Sequence, residues 1–313
     1  MPRRRVSADE RARRRHPRRG PRPERLWRKL GRMLGVGLAT CVIGVGPSHP
    51  ARAQHLPDLV TPEVLRVCAD PANMPFANRA GQGFENRIAA ILADELKVPL
   101  RYYWLPQGPG FVRNTLGLKL CDVVIGYAAG TDIVQHSNPY YRSVYTALVK
   151  TRGDLADLKQ LSDPRLRSKR IGVIAATPSV DHLEALGLGA SMKPYSLLVD
   201  RRFESPGDDM IADLLADRLD VAILWGPVAG YGAMRHEGTL TMVPLIHEAE
   251  RPPLAYRITL GMRPNEIEWK RTLNTALHNR QSDIDRVLRA YGVPLLDDDG
   301  HLIEAPASED VKP

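Results

Sequence analysis

The sequence predicts an α/β protein built from two successive sets of parallel-dominated strands with flanking helices, followed by a return of the chain to the first set. Three observations predict it. Short apolar runs alternate with segments of helical periodicity, the order that builds parallel sheets. The alternation occurs twice, over residues 65–126 and again over residues 170–225. One more apolar run, at 256–261, then precedes two amphipathic segments at 265–279 and 281–291.

Residues 65–68, LRVC, form the first strand, stopped by Asp70-Pro71. A turn-rich stretch follows through Met74-Pro75-Phe76 and Gly81-Gln82-Gly83. A helix opens at Phe84, because Phe84, Ile88, Ile91, Leu92 and Leu96 share one face at a period of 3.6, and Pro99 stops it. Residues 100–105 are the next strand, 111–118 a short helix, and 121–126 a buried strand carried by Val123-Val124-Ile125. Residues 145–150, YTALVK, lead out of this set. The second set runs strand 170–174, helix 179–186, strand 197–199, helix 208–216 and strand 221–225. From Asp297 the chain is acidic, contains Pro306 and Pro313, and reads as a loose tail.

A chain of 313 residues has ample length for a core. Its formal charge of +8 misleads, since residues 1–53 hold 15 Lys and Arg against 3 Asp and Glu, leaving 29 basic and 33 acidic residues beyond them. The basicity belongs to the leader, which excludes nucleic acid as a partner of the folded part. The leader has the order of an export signal: an Arg-rich start, an apolar run at 33–46, and Ala51-Arg52-Ala53 as a small-x-small cleavage pattern before Gln54. The apolar run is short for a membrane span. The expected product is a monomer released into the periplasm, cleaved near Ala53 and not membrane-embedded; a lipid anchor on Cys41 is the weaker alternative.

Several segments together carry a resemblance. They are LRVCADPANMPFAN at 65–78, GFENRIA at 83–89, LRYYWLPQ at 100–107, FVRNTL at 111–116, CDVVIG at 121–126, SDPRLRSKRIGVI at 162–174 and DVAILWGPVAGY at 220–231. They resemble the type II periplasmic binding proteins, a two-lobed fold with its cleft at the carboxyl ends of parallel strands. More closely, they resemble the MxaJ/XoxJ group of methylotrophs, solute-binding-like proteins encoded beside quinoprotein alcohol dehydrogenases. The resemblance implies a leader at 1–53, a first lobe at 62–149, a second at 150–248, a return with closing helices at 249–292, and the tail at 293–313. It implies a non-catalytic accessory whose partners are a quinoprotein methanol or alcohol dehydrogenase and its cytochrome c. Pyrroloquinoline quinone (PQQ), with calcium or a lanthanide, would then sit in the partner, with no cofactor bound by this chain. It also makes neighbours of the strands bearing Cys68 and Cys121; a disulfide is expected between them, two buried thiols being the alternative.

Amino-acid-binding members of that fold clamp the ligand carboxylate with an Arg just after the strand equivalent to 121–126, and the ammonium with an acid ending the later strand. Here residues 127–134 contain no basic residue, and the later strand ends in Trp225. A zwitterionic ligand would lack both anchors. What remains for the cleft is aromatic and small: Asn73, Met74, Phe76, Asn78, Tyr140, Tyr141, Thr177, Trp225 and Tyr231. Such a groove suits a partner's loop or a planar ligand. Phe76 and Tyr141 have a second reading, packing beneath their own loops. The competing functions are a transport receptor for an uncharged or aromatic solute and a prephenate-type dehydratase. The dehydratase would need a placed acid and anion-binding basic residues, and neither is evident in the cleft.

Other constellations exclude chemistry rather than suggest it. His136, His182, His236 and His247 show no metal-ligand spacing. Asp297-Asp298-Asp299-Gly300 lacks the later ligands of a calcium loop. No nucleophile triad or phosphate loop is readable. Asp70 reads as a strand terminator, and Glu85 as a first-turn acid matched to the helix dipole.

Overall fold

The computed structural model describes residues 60–304, except 62, 131–132 and 249–251. The expected export leader and cleavage site, and residues 305–313 of the tail, lie outside the described residues.

The first lobe begins with β1 (Leu65–Ala69), a short hairpin of β2 (Ala72–Asn73) and β3 (Ala77–Asn78), and α1 (Phe84–Leu96). Gly83 precedes α1 because a Cβ there would fall 2.0 Å from the Phe76 carbonyl oxygen. The Asn86 side chain closes this start, accepting from the Gly83 and Asn78 amides at 3.1 and 3.0 Å. Next come β4 (Leu100–Trp104), the single turn α2 (Phe111–Asn114), β5 (Val123–Ala128), β6 (Gln135–His136) and the long β7 (Tyr141–Lys150). The second lobe adds β8 (Ile171–Ile174), α3 (Pro178–Ala185), β9 (Met192–Tyr195), α4 (Pro206–Leu215), β10 (Val221–Trp225), α5 (Gly226–Arg235) and β11 (Leu240–Pro244). The chain returns through β12 (Ala255–Met262), α6 (Ile267–Asn279) and α7 (Gln281–Ala290).

The sheet order is β4-β1-β5-β12-β7-β10-β8-β9, with β11 also on β7 and β6 on β12. β7 joins the two halves. Its first residues pair with β12, Val144 opposite Ala255, while Tyr145–Leu148 pair with β10, Tyr145 opposite Trp225. The parallel neighbours of β1 are β4 and β5, and those of β8 are β9 and β10. The first core collects Leu65, Phe84, Ile88, Leu92, Leu260, Leu273 and Leu288, all fully buried. The second collects Leu161, Leu166, Ile171, Leu183 and Val221. Each such side chain contributes about 1.5–3 kcal/mol on burial.

At the edge away from the cleft, Asp122 is fully buried and binds two guanidinium groups. Arg66 meets it through two bonds of 2.7 Å, and Arg263 through one of 2.6 Å while also holding Glu266 at 2.7 Å. Beside it, Cys68 and Cys121 are bonded to one another, with Cα atoms 5.4 Å apart.

Four regions differ from the sequence reading. The strand expected at 197–199 lies instead at Met192–Tyr195, where it pairs with β8 alone. An edge position tolerates Pro194. Leu197 and Leu198 are left exposed, at 43% and 67%. The helix expected at 111–118 stops at Asn114 and gives way to turns over residues 115–119, where Gly117 lies too close to the Arg113 carbonyl to carry a side chain. α5 and β11 carried no clear sequence signal, since Gly226-Pro227 and Gly230 read as loop. Nor is the start of the tail loose. Val293, Leu295 and Leu296 are buried, and a turn at 297–301 is tied to Arg142 through the Asp298 carbonyl at 3.0 Å.

Candidate functional site

The carboxyl ends of β5, β8 and β10 and the middle of β7 and β12 surround a cleft of about 420 Å³. Its far wall is aromatic. Trp225 ends β10 because Gly226-Pro227 turns the chain directly into α5. Its indole packs against Tyr145 at 5.5 Å between centroids and Tyr256 at 5.8 Å. The three rings come from adjacent strands, so sheet register sets their spacing. Burial pushes the Tyr145 hydroxyl up to about 12, with Tyr256 adding a smaller effect. The wall therefore offers neutral hydroxyls and π faces.

The near wall is the hairpin after β1. Asp70, 1% exposed, organises it by accepting from the amides of Ala72 at 2.8 Å and Gln107 at 2.7 Å. The Asn73 amide donates to the Gln107 side chain at 3.2 Å. Across the cleft, the Arg201 guanidinium donates to the Asn73 side-chain oxygen, linking the loop before α4 to the hairpin. Phe76 stands beside Phe84, ring centroids 5.3 Å apart, and still lines the cleft.

Glu85 forms part of the floor. It is 8% exposed, and burial, with a smaller push from Asp70, raises its carboxyl to about 8. Gly126, at φ +76°, lies directly beneath it, where a Cβ would fall 1.9 Å from Oε1. Among the described residues lining the cleft, Glu85 and Arg201 are the acid and the base.

Of the residues the sequence assigned to the cleft, Asn73, Met74, Phe76, Thr177 and Trp225 line it. Thr177 spends its hydroxyl on the β8–α3 turn, donating to the Ile174 carbonyl at 2.7 Å. The other four do not line it. Tyr140 and Tyr141 are core residues, 3% and 8% exposed, with Tyr141 edge-on to Phe84. The β12 pairing at Tyr141 and Ile258 turns that segment inward, so the inward-packing reading holds for Tyr141, while Phe76 packs on Phe84 and lines the cleft as well. Tyr231 stacks on Tyr291, 5.9 Å away, because the unanticipated α5 carries it toward the closing helices. Asn78 bonds the Gln82 side chain at 2.9 Å and closes its own turn.

Sequence reasoning missed Glu85, Arg201, Tyr145 and Tyr256. A signal for Glu85 was present: Ile88, Ala89 and Leu92, at i+3, i+4 and i+7, are all fully buried, so Glu85 shares the apolar face of α1. Arg201 was hidden by the misplaced strand, and its presence corrects the expectation that the cleft holds no basic group. Outside the cleft, Asp297, Asp299 and His301 bring ligand atoms within 4.8 Å of one another. The Asp297 carboxylate there accepts from the His301 amide at 2.8 Å and so closes the turn. No helix among the described residues is long and apolar enough to cross a membrane.

Comparison with known proteins places these features. No family model matches the chain. Protein MoxJ of Methylorubrum extorquens (strain AM1) is 32% identical over 251 residues, covering 74% of this chain and 81% of that protein. The crystal structure of the periplasmic binding protein XoxJ from Methylobacterium extorquens AM1 is 49% identical, with a TM-score of 0.64, covering 75% of this chain and all of that one. The crystal structure of MxaJ from Methlophaga aminisulfidivorans MPT is 27% identical with a TM-score of 0.66, covering 74% of this chain and all of that one.

Proposed function

The chain belongs to the MoxJ family, with the fold of periplasmic binding proteins, and from that premise we propose that it is a non-catalytic periplasmic accessory of a methanol oxidation system. It acts by contact with a PQQ-dependent alcohol dehydrogenase or its cytochrome c, in their activation or assembly. PQQ and its calcium or lanthanide ion belong to the dehydrogenase in this reading. The exported form begins at Gln54.

One observation carries the reading. Where an amino-acid receptor needs an acid, the cleft presents the Trp225, Tyr145 and Tyr256 wall, and beside it the loop before α4 exposes Leu198 at 67% and Phe203 at 81%. Exposed apolar anchors next to a preformed aromatic groove suit a protein interface, where a few such residues dominate affinity. Arg202 lies over the Phe203 ring, 5.4 Å from its centroid, and is ion-paired with Asp200. The size of the cavity favours a second reading, a receptor for an uncharged or aromatic solute.

The test is binding of the purified dehydrogenase to wild type and to a Leu198→Asp/Phe203→Asp variant. Both sites are exposed, so folding is retained. The expected loss is about thirtyfold or more, the usual consequence of removing a 2 kcal/mol anchor. Unchanged binding by the variant would remove this rim from the interface.

A further inference from the structure

Beneath the aromatic wall lies a polar group that partner contact at the rim does not use. The Glu85 carboxyl opens onto the cleft, is more than nine-tenths buried, and forms no hydrogen bond with any described residue. The carboxyl is presented to the cleft, where it can hydrogen-bond what enters. Gly126 is what admits it, since any side chain there would occupy the carboxyl's place.

The surroundings define what it can meet. Asp70 faces it from the end of β1, Tyr102 from β4, and Tyr140 and Tyr141 from the start of β7. The Tyr140 hydroxyl is buried beside the Gly126 backbone. Among these groups there is no base. Arg201 lines the same cleft but is bonded to Asn73. An anionic ligand reaching the floor would meet the carboxyl, with the buried Asp70 behind it. A cationic ligand would meet Arg201 at the rim and, at neutral pH, an acid that holds its proton.

We propose that the floor of the cleft binds a small, uncharged, planar molecule whose carbonyl or hydroxyl oxygen accepts a hydrogen bond from Glu85, with its ring against Trp225 and Tyr256. The ligand's oxygen gives the acid a hydrogen-bond partner, and the rings supply stacking without charge. The cavity accommodates a molecule of one or two rings. This rests on the second reading, a receptor for an uncharged or aromatic solute, and names the groups that would hold it; the isolated protein suffices to test it.

Three nearly isosteric probes separate the alternatives: benzamide (neutral), benzamidinium (cationic) and benzoate (anionic). Binding to the purified protein is followed by calorimetry and by tryptophan fluorescence. Benzamide is expected to bind, and both charged probes to bind at least tenfold more weakly. Because the acid loses its proton near pH 8, benzamide affinity should be level below pH 7 and fall at least tenfold by about pH 9.5. Glu85→Gln should still bind benzamide through its amide N–H but lose the pH dependence, and Glu85→Leu should bind at least tenfold more weakly. Tighter binding of benzamidinium as pH rises would make this a cation site, and preference for benzoate would make Arg201 the anchor; either overturns the proposal. So would wild-type affinity in Glu85→Leu, or no benzamide binding at about 10 mM by folded wild type. None of these outcomes alters the rim test with Leu198 and Phe203.

Discussion

Glu85→Gln is expected to change the pH dependence of stability in a defined direction. In the unfolded chain this carboxyl titrates near 4.5, and in the native cleft burial, then Asp70, raise it to about 8. The native state therefore binds more protons than the unfolded state between those values. Stability attributable to this residue falls as pH rises through that window, by about 1.4 kcal/mol per pH unit. Below about pH 4 both states hold the proton and the residue is neutral in the balance. Above pH 8 the native state carries an ionised, unpartnered carboxylate, and the accumulated cost approaches about 5 kcal/mol as an upper bound. Half of that would still move the melting temperature of a domain this size by about 5 °C. The assay is urea unfolding of wild type and Glu85→Gln at about pH 5, 7 and 9, reading the difference between the two proteins so that other titrations cancel. The variant should gain on wild type by several kcal/mol across that range. A difference that stays constant within about 0.5 kcal/mol would mean that the native carboxyl is ionised and hydrated, and the reasoning fails.

Reduction of the Cys68–Cys121 bond, or Cys68→Ser with Cys121→Ser, should lower stability by about 4 kcal/mol, the loop-closure entropy for residues 53 apart; unfolding midpoints with and without reductant measure it. Asp122→Ala should cost about 3–5 kcal/mol, because it takes a partner from the buried Arg263 guanidinium and from the half-buried Arg66. A denaturation midpoint within about 1 kcal/mol of wild type would refute that role. Calorimetry with a panel of amino acids should give no dissociation constant below about 10 μM, since Trp225 stands where an acid would hold the ammonium and Arg201 is engaged by Asn73.

The fold was legible wherever one periodicity dominated. α1 runs over the residues its apolar face marks, and β10 coincides with the apolar run at 221–225. Legibility failed where tertiary position overrides local preference. Pro194 sits in a strand because that strand has a neighbour on one side only. Gly226-Pro227 looks like a break and in fact starts a helix, since Pro at the second helical position lacks only an N–H that would have no partner there. The same error then misassigned Tyr231, whose direction depends on α5 existing.

The site was legible in kind more than in membership. Trp225 could be placed because a residue just past a central parallel strand faces the cleft. Tyr145 and Tyr256 could not, because their place depends on β7 changing partners from β12 to β10 midway along its length. That exchange puts Tyr145 opposite Trp225 and leaves Tyr256 on the neighbouring strand, so the wall is assembled by long-range register alone. Glu85 shows the converse. Its helical face was readable as apolar, and the dipole argument for a first-turn acid drew attention away from it. A carboxylate in water gains a few tenths to 1 kcal/mol from a helix N-terminus. Burial beside Asp70 costs several times that, and the larger effect decides the protonation state of the cleft floor.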